Sequence, residues 1–259
     1  MRRCLSIIFI MLLGACSTQR PGGLTIDRSI QAKSQNSRVE FLVLHYTATG
    51  NLASLKILSE MNVSSHYLIT DHPQPHVYEL VDESRRAWHA GVSQWFDRTD
   101  LNSASIGVEI VNQGKQDGQW APYPKAQINT LITLLNQIVA RHQIKPHNII
   151  GHSDISPQRK IDPGPLFPWA ELASHGLGRW YDPNKVETHL QEFAVKGLPT
   201  IAWLQTQLNR LGYTVPTSGV LDKATRNVIA AFQMHYRPAI YDGQPDAQTM
   251  AIAKALITP

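Results

Sequence analysis

The sequence predicts an α/β fold followed by a small all-α three-helix domain. Short β-branched runs at 39–44, 105–112 and 148–150 read as buried strands. Residues 127–142 form an amphipathic helix just before the last run, the crossover expected of an α/β layer. Beyond residue 199 only helical periodicity remains.

The start of the chain reads as an address rather than as fold. Arg2 and Arg3 form a basic region, and residues 5–13 are an apolar run too short to span a bilayer. Leu13-Gly14-Ala15-Cys16-Ser17 follows and resembles the lipobox of bacterial lipoproteins. That resemblance implies a signal peptide at 1–15 and a lipid on Cys16 that anchors the chain to a membrane. Ser17 in place of Asp implies the outer membrane of a Gram-negative cell, facing the periplasm. Residues 16–37 are polar, carry Pro21-Gly22-Gly23, and read as the lipidated tether. Cys4 and Cys16 are the only cysteines, so no thiol is left for a disulfide, a metal or a nucleophile. Without Arg2 and Arg3, Lys and Arg fall from 24 to 22 against 20 acidic residues. That balance, with no basic stripe, argues against a nucleic-acid partner.

The folded chain begins with the strand at 39–44, which ends on His45. A short helix is expected at 52–61, then strands at 64–69 and 77–81. His72 and His76 between them are interleaved with Pro73 and Pro75, so turn chemistry takes precedence over metal binding there. Trp88-His89 either lines a sugar or peptide groove or packs inward. In 105–112, Ile106, Val108 and Ile110 share one face, while Gly107, Glu109 and Val111 share the other. Glu109 is thus a lone carboxylate in an apolar strand, a setting that raises its pKa and suits proton transfer. After the helix and the run at 148–150, residues 151–164 are dense in Pro, Gly and Ser and read as a loop of fixed shape carrying His152, Lys160 and Asp162. A short helix follows at 168–173. Periodicity is lost at 181–198, the expected linker. The domain at 199–259 then holds three helices: one carrying Ile201, Leu204, Leu208 and Leu211 that closes at Gly212, and two more capped by Asp222 and Asp246.

Two imidazoles and a carboxylate on rigid elements are the donor set of a catalytic zinc site, with a fourth position left for water. His45, His152 and Asp162 are the expected ligands, Glu109 the proton carrier, and Lys160 the cation that stabilises an oxyanion. Spacing alone does not select among 11 histidines, and His66 and His89 stay open as ligands.

Five strings decide between them: Leu44-His45-Tyr46-Thr47-Ala48, Ser65-His66-Tyr67-Leu68-Ile69, Trp88-His89-Ala90-Gly91, Ser105-Ile106-Gly107-Val108-Glu109, and Gly151-His152-Ser153-Asp154-Ile155 with Arg159-Lys160-Ile161-Asp162-Pro163-Gly164. In this order they resemble the type-2 N-acetylmuramoyl-L-alanine amidases, which include the AmpD-like enzymes and the peptidoglycan recognition proteins. The resemblance covers about 38–180 and implies a mixed central sheet flanked by helices. It places zinc on His45, His152 and Asp162 and catalysis on Glu109 and Lys160, and Trp88, His89 and His66 are the expected substrate contacts. Asp162 at the third ligand matches the AmpD-like branch. Residues 204–213, 219–222, 232–233 and 242–246 resemble a three-helix peptidoglycan-binding module, from which 234–240 departs. The implied partner is peptidoglycan or its muropeptides, and the implied reaction cuts the lactyl–L-alanine amide. A non-catalytic recognition protein and a zinc peptidase acting within the stem peptide are the competing readings.

Overall fold

A central five-stranded sheet organises the chain. In the computed structural model, which describes residue 24 and residues 26–258, the chain forms β1 (Phe41–Tyr46), α1 (Asn51–Glu60), β2 (Tyr67–Ile69) and β3 (Val77–Glu79). A hairpin, β4 (Gln94–Trp95) and β5 (Arg98–Thr99), precedes β6 (Ser105–Ile110). A second hairpin, β7 (Lys115–Gln116) and β8 (Gln119–Trp120), leads to α2 (Lys125–His142), β9 (Ile149–Gly151), α3 (His152–Ile155) and α4 (Trp169–Ser174). The chain ends in α5 (Pro183–Lys196), α6 (Ile201–Leu211), α7 (Lys223–Tyr236) and α8 (Ala247–Ile257). The sheet order is β3-β2-β6-β1-β9, with β3 antiparallel and the other pairings parallel, so the sheet is mixed.

The two faces of the sheet have separate covers. Leu42, Leu44, Ile106, Val108 and Ile110 meet Ile128, Leu131, Leu135 and Ile138 of α2. Each such Leu or Ile contributes about 1.5–3 kcal/mol when fully buried. On the opposite face, Phe41, Val43 and Ile150 join one apolar cluster with Trp95, Leu101, Leu204, Phe232 and Met250. The C-terminal helices therefore share a core with the sheet, and residues 37–258 belong to one compact unit. Residues 24 and 26–36 are exposed and contain neither helix nor strand. The expected signal peptide and Cys16 lie outside the described residues. Among the described residues, no helix is long and apolar enough to cross a membrane.

The expected linker at 181–198 is instead largely helix. Pro183 sits in the first turn of α5, where its missing N–H costs nothing, and Asp182 caps the helix by accepting from the Asn184 N–H. The buried stripe of α5 is narrow, Val186, His189 and Phe193, and lies against α8. Two of its three positions are apolar, which explains why the periodicity is faint. The caps at Asp222 and Asp246 form as expected, accepting from the Thr225 and Thr249 N–H groups. Gly212 closes α6 at φ 117°, and a Cβ there would fall 2.6 Å from the Trp95 ring.

Candidate metal centre and catalytic cleft

Parallel pairing sets the site in a row. His45 is in register with Glu109 on the neighbouring strand, and Leu44 is in register with Gly151, the residue before His152. His45, Glu109 and His152 therefore emerge at one level, at the carboxyl ends of β1, β6 and β9, where parallel sheets place their chemistry. The chain beyond His152 is not wholly a loop, because residues His152–Ile155 turn once as α3. The Ser153 N–H donates to the Asp162 carbonyl over 2.8 Å, which folds the returning segment back onto that turn.

Three ligand atoms converge. His45 Nδ1 lies 2.9 Å from His152 Nδ1 and 3.1 Å from Asp162 Oδ2, and His152 Nδ1 lies 3.0 Å from the same carboxylate oxygen. The other ring nitrogens decide what these atoms carry. His152 Nε2 is 3.1 Å from the Ala90 carbonyl, which only accepts, so Nε2 bears the proton. The Ser105 hydroxyl donates to the Leu101 carbonyl over 2.6 Å and so accepts from His89 Nε2 over 3.2 Å. His89 Nδ1 is then an acceptor and takes the His45 Nε2 proton over 3.0 Å. Burial and the adjacent His152 push the His45 pKa down to about 4, so this ring is neutral at pH 7. Burial opposes charge on Asp162, but the two imidazoles outweigh it and hold the carboxyl well below its usual range. The Nε2 atoms of both rings are thus committed elsewhere, and both Nδ1 atoms face one another and a carboxylate oxygen within 3.1 Å. A cation satisfies that arrangement, and these three residues are the one group of metal-ligand type among the described residues.

Glu109 lies beside the cage and lines the same cleft of about 380 Å³. Its Oε2 is buried and has no hydrogen-bond partner among the described residues. Burial first, then the nearby Asp162, push its pKa up to about 8, against the pull of Lys160. Lys160 and the exposed Trp88 line the cleft as well.

The remaining expected contacts separate. His66 is fully buried: its Nδ1 accepts the Gly107 N–H and its Nε2 faces the Arg85 carbonyl. It does not line the cleft, so the expected substrate contact is corrected, and its work is to tie β6 to the strand beside it. His89 reaches the cleft but is 9% exposed and is used up between His45 and Ser105. Its ring packs where a Cβ on Gly107 would stand 2.5 Å away, which requires glycine there. Neither His66 nor His89 joins the convergent ligand atoms. Sequence reasoning missed Ser105 and Asp154. Ser105 is read only as the start of a strand, and Asp154 as one more polar residue of a loop.

A parallel sheet edge holding such a cage, with a buried carboxylate beside it, defines a metal-centred hydrolase. The chain belongs to the N-acetylmuramoyl-L-alanine amidase family, whose model matches residues 35–165, and it is an amidase of that kind. A peptidoglycan binding domain model matches residues 198–252. The chain is 43% identical to N-acetylmuramoyl-L-alanine amidase AmiD of Escherichia coli over 95% of its length and 94% of that protein's. A crystal structure of AmpDh3 from Pseudomonas aeruginosa superposes with a TM-score of 0.85 at 42% identity, covering 90% of this chain and 97% of that one. Escherichia coli AmiD, solved with the substrate anhydro-N-acetylmuramic acid-L-Ala-D-gamma-Glu-L-Lys, superposes with a TM-score of 0.82, covering 92% and 96%.

Proposed function

We propose that the metal of this amidase is zinc, held by His45 Nδ1, His152 Nδ1 and Asp162 Oδ2, and that the bond cut joins the lactyl group of N-acetylmuramic acid to L-alanine. The single observation that carries the reading is the convergence of His45 Nδ1, His152 Nδ1 and Asp162 Oδ2 within 3.1 Å of one another, with both Nε2 atoms engaged elsewhere. Two neutral nitrogens and one carboxylate suit zinc. When bound, zinc supplies Lewis acidity that acidifies water and polarises a carbonyl.

The chain's own residues do the rest. Glu109, with an unpartnered buried oxygen and a pKa raised by burial, takes a proton from the attacking water and returns it to the departing amine. Lys160 places positive charge beside the carbon under attack, where oxyanion charge develops. Trp88 offers an exposed aromatic face to the sugar or peptide at the mouth of the cleft. Tyr46, next to His45 on β1, lines the same mouth.

Residues 1–15 are the signal peptide, and a lipid on Cys16 holds the enzyme at the periplasmic face of the outer membrane. Arg2, Arg3, the apolar 5–13 run and Leu13-Gly14-Ala15-Cys16 support this. The exposed segment at 26–36 suits a tether to a polymer substrate. The test joins metal analysis to mass spectrometry of products from sacculi and soluble muropeptides. Stoichiometric zinc and free stem peptides that begin at L-alanine are expected. Cleavage between amino acids, with lactyl–alanine bonds intact, would point to a peptidase. Bound zinc without any release would point to a recognition protein.

A further inference from the structure

We infer that Tyr213 and His235, on the C-terminal helical part, are positioning residues for the metal centre: they hold Asp154 and, through it, the turn that presents His152. The inference rests on the reading of His152 as a ligand. Asp154 stands two residues beyond His152, within the single turn of α3, and is 1% exposed. A one-turn helix does not stand alone in water, because its nucleation cost exceeds what so few hydrogen bonds return. Its shape must be imposed from outside. Asp154 accepts three hydrogen bonds: from the Gly151 N–H over 2.8 Å, from the Tyr213 hydroxyl over 2.6 Å, and from His235 Nδ1 over 2.8 Å. Two of the three donors come from the part of the chain that resembles a polymer-binding module.

The packing around His235 follows the same plan. Its ring is stacked between Trp169, with centroids 3.9 Å apart, and Tyr236, 4.1 Å away. Trp169 in turn closes on Gly151, where an added Cβ would lie 3.2 Å from its ring and 2.7 Å from Pro163. The strand end before His152 thus lies between Pro163, next to Asp162, and Trp169 of α4, whose ring in turn stacks on His235. His235, within the 234–240 stretch that departs from the module's pattern, is used inward, against the catalytic part.

A buried carboxylate that loses its donors carries an uncompensated charge and draws the backbone toward water. Removing Tyr213 and His235 as donors therefore displaces the α3 turn and with it His152 Nδ1. A module that served only to grip polymer would affect activity on sacculi alone. A brace affects metal affinity and turnover on a small soluble muropeptide.

The test uses the full chain. The double variant Tyr213→Phe/His235→Phe keeps the ring stack and removes both donors. Zinc affinity is read by chelator competition, and kcat and KM on a soluble muropeptide, at a temperature where all variants are folded. We expect zinc binding weakened about tenfold or more, the range for partners behind metal ligands. We also expect kcat to fall while KM changes little, with Asp154→Ala behaving alike. Ile252→Ala, a cavity variant in α8, should lower the melting temperature yet leave zinc affinity intact. If the double variant does not fold, His235→Phe alone should weaken zinc roughly threefold, a part of the same effect. Unchanged zinc affinity and kcat in the donor variants, or equal losses in Ile252→Ala, would overturn the brace. Full zinc retention by His152→Ala would overturn the ligand reading itself, and the brace with it.

Discussion

His45 and Glu109 face each other in register across β1 and β6, two adjacent parallel strands. The proposed metal ligand and the proposed proton carrier therefore hang on one hydrogen-bonded ladder, and neither depends on a loop for its height. This separates two functions that mutation can test independently.

Glu109→Gln should keep metal and lose turnover. The side chain is not among the convergent ligand atoms, yet it lines the cleft and bears a buried oxygen without a partner among the described residues. Loss of a general base or acid costs roughly 10²–10⁴-fold in rate. Metal analysis beside kcat checks this; metal lost in parallel with activity would make Glu109 a ligand.

The acid limb of kcat/KM should report Glu109. Its pKa is raised by burial and by Asp162, and lowered by Lys160. A base must be ionised, so activity rises with pH as this carboxyl loses its proton. Removing the lysine charge raises the carboxyl pKa further, so Lys160→Ala should move the acid limb to higher pH as well as lower the rate. A limb that stays in place or moves to lower pH would contradict this assignment.

The same shift governs stability. In the metal-free protein Glu109 is raised from 4.5 to about 8 on folding. Between these values the folded chain binds more protons than the unfolded one, so this group's stabilising share is full below about 4.5 and lost as pH rises through 8. Glu109→Gln should therefore match the wild type near pH 4 and melt at a higher temperature near pH 8.5. Melting curves across that range decide it; a difference that is constant with pH would count against the raised pKa.

His89 and Ser105 should act on the metal rather than on substrate. The chain from His45 Nε2 through His89 to Ser105 keeps the His45 Nδ1 lone pair free. His89→Ala should weaken zinc by roughly 10–100-fold with little change in KM. A raised KM with metal affinity intact would restore His89 as a substrate contact.

His66→Ala should cost stability alone, about 1–3 kcal/mol for the buried Gly107 N–H left without its acceptor. Urea unfolding gives the figure, and retained metal and kcat separate His66 from the site.

Much of this was legible in the residues. The alternation of Ile106, Val108 and Ile110 against Glu109 survives intact in β6, because one face meets α2 and the other meets the cleft. The ligand set needed help: a histidine at a strand end looks the same whether its second nitrogen meets a carbonyl or another ring. His66 and His89 flank the same strand, and only three-dimensional pairing separates a backbone tie from a ligand's partner. Helix α5 was hidden by Pro183, which breaks a helix in its interior but starts one at its first turn. Asp154 was invisible because two of its donors lie 59 and 81 residues away.

The most direct test of the cage is an anomalous difference map at the zinc edge, from crystals of the full chain grown with zinc. The account predicts one peak within about 2.0–2.2 Å of His45 Nδ1, His152 Nδ1 and Asp162 Oδ2 together. A peak seated on other side chains or on the Nε2 atoms, or no peak between these three residues, would contradict it.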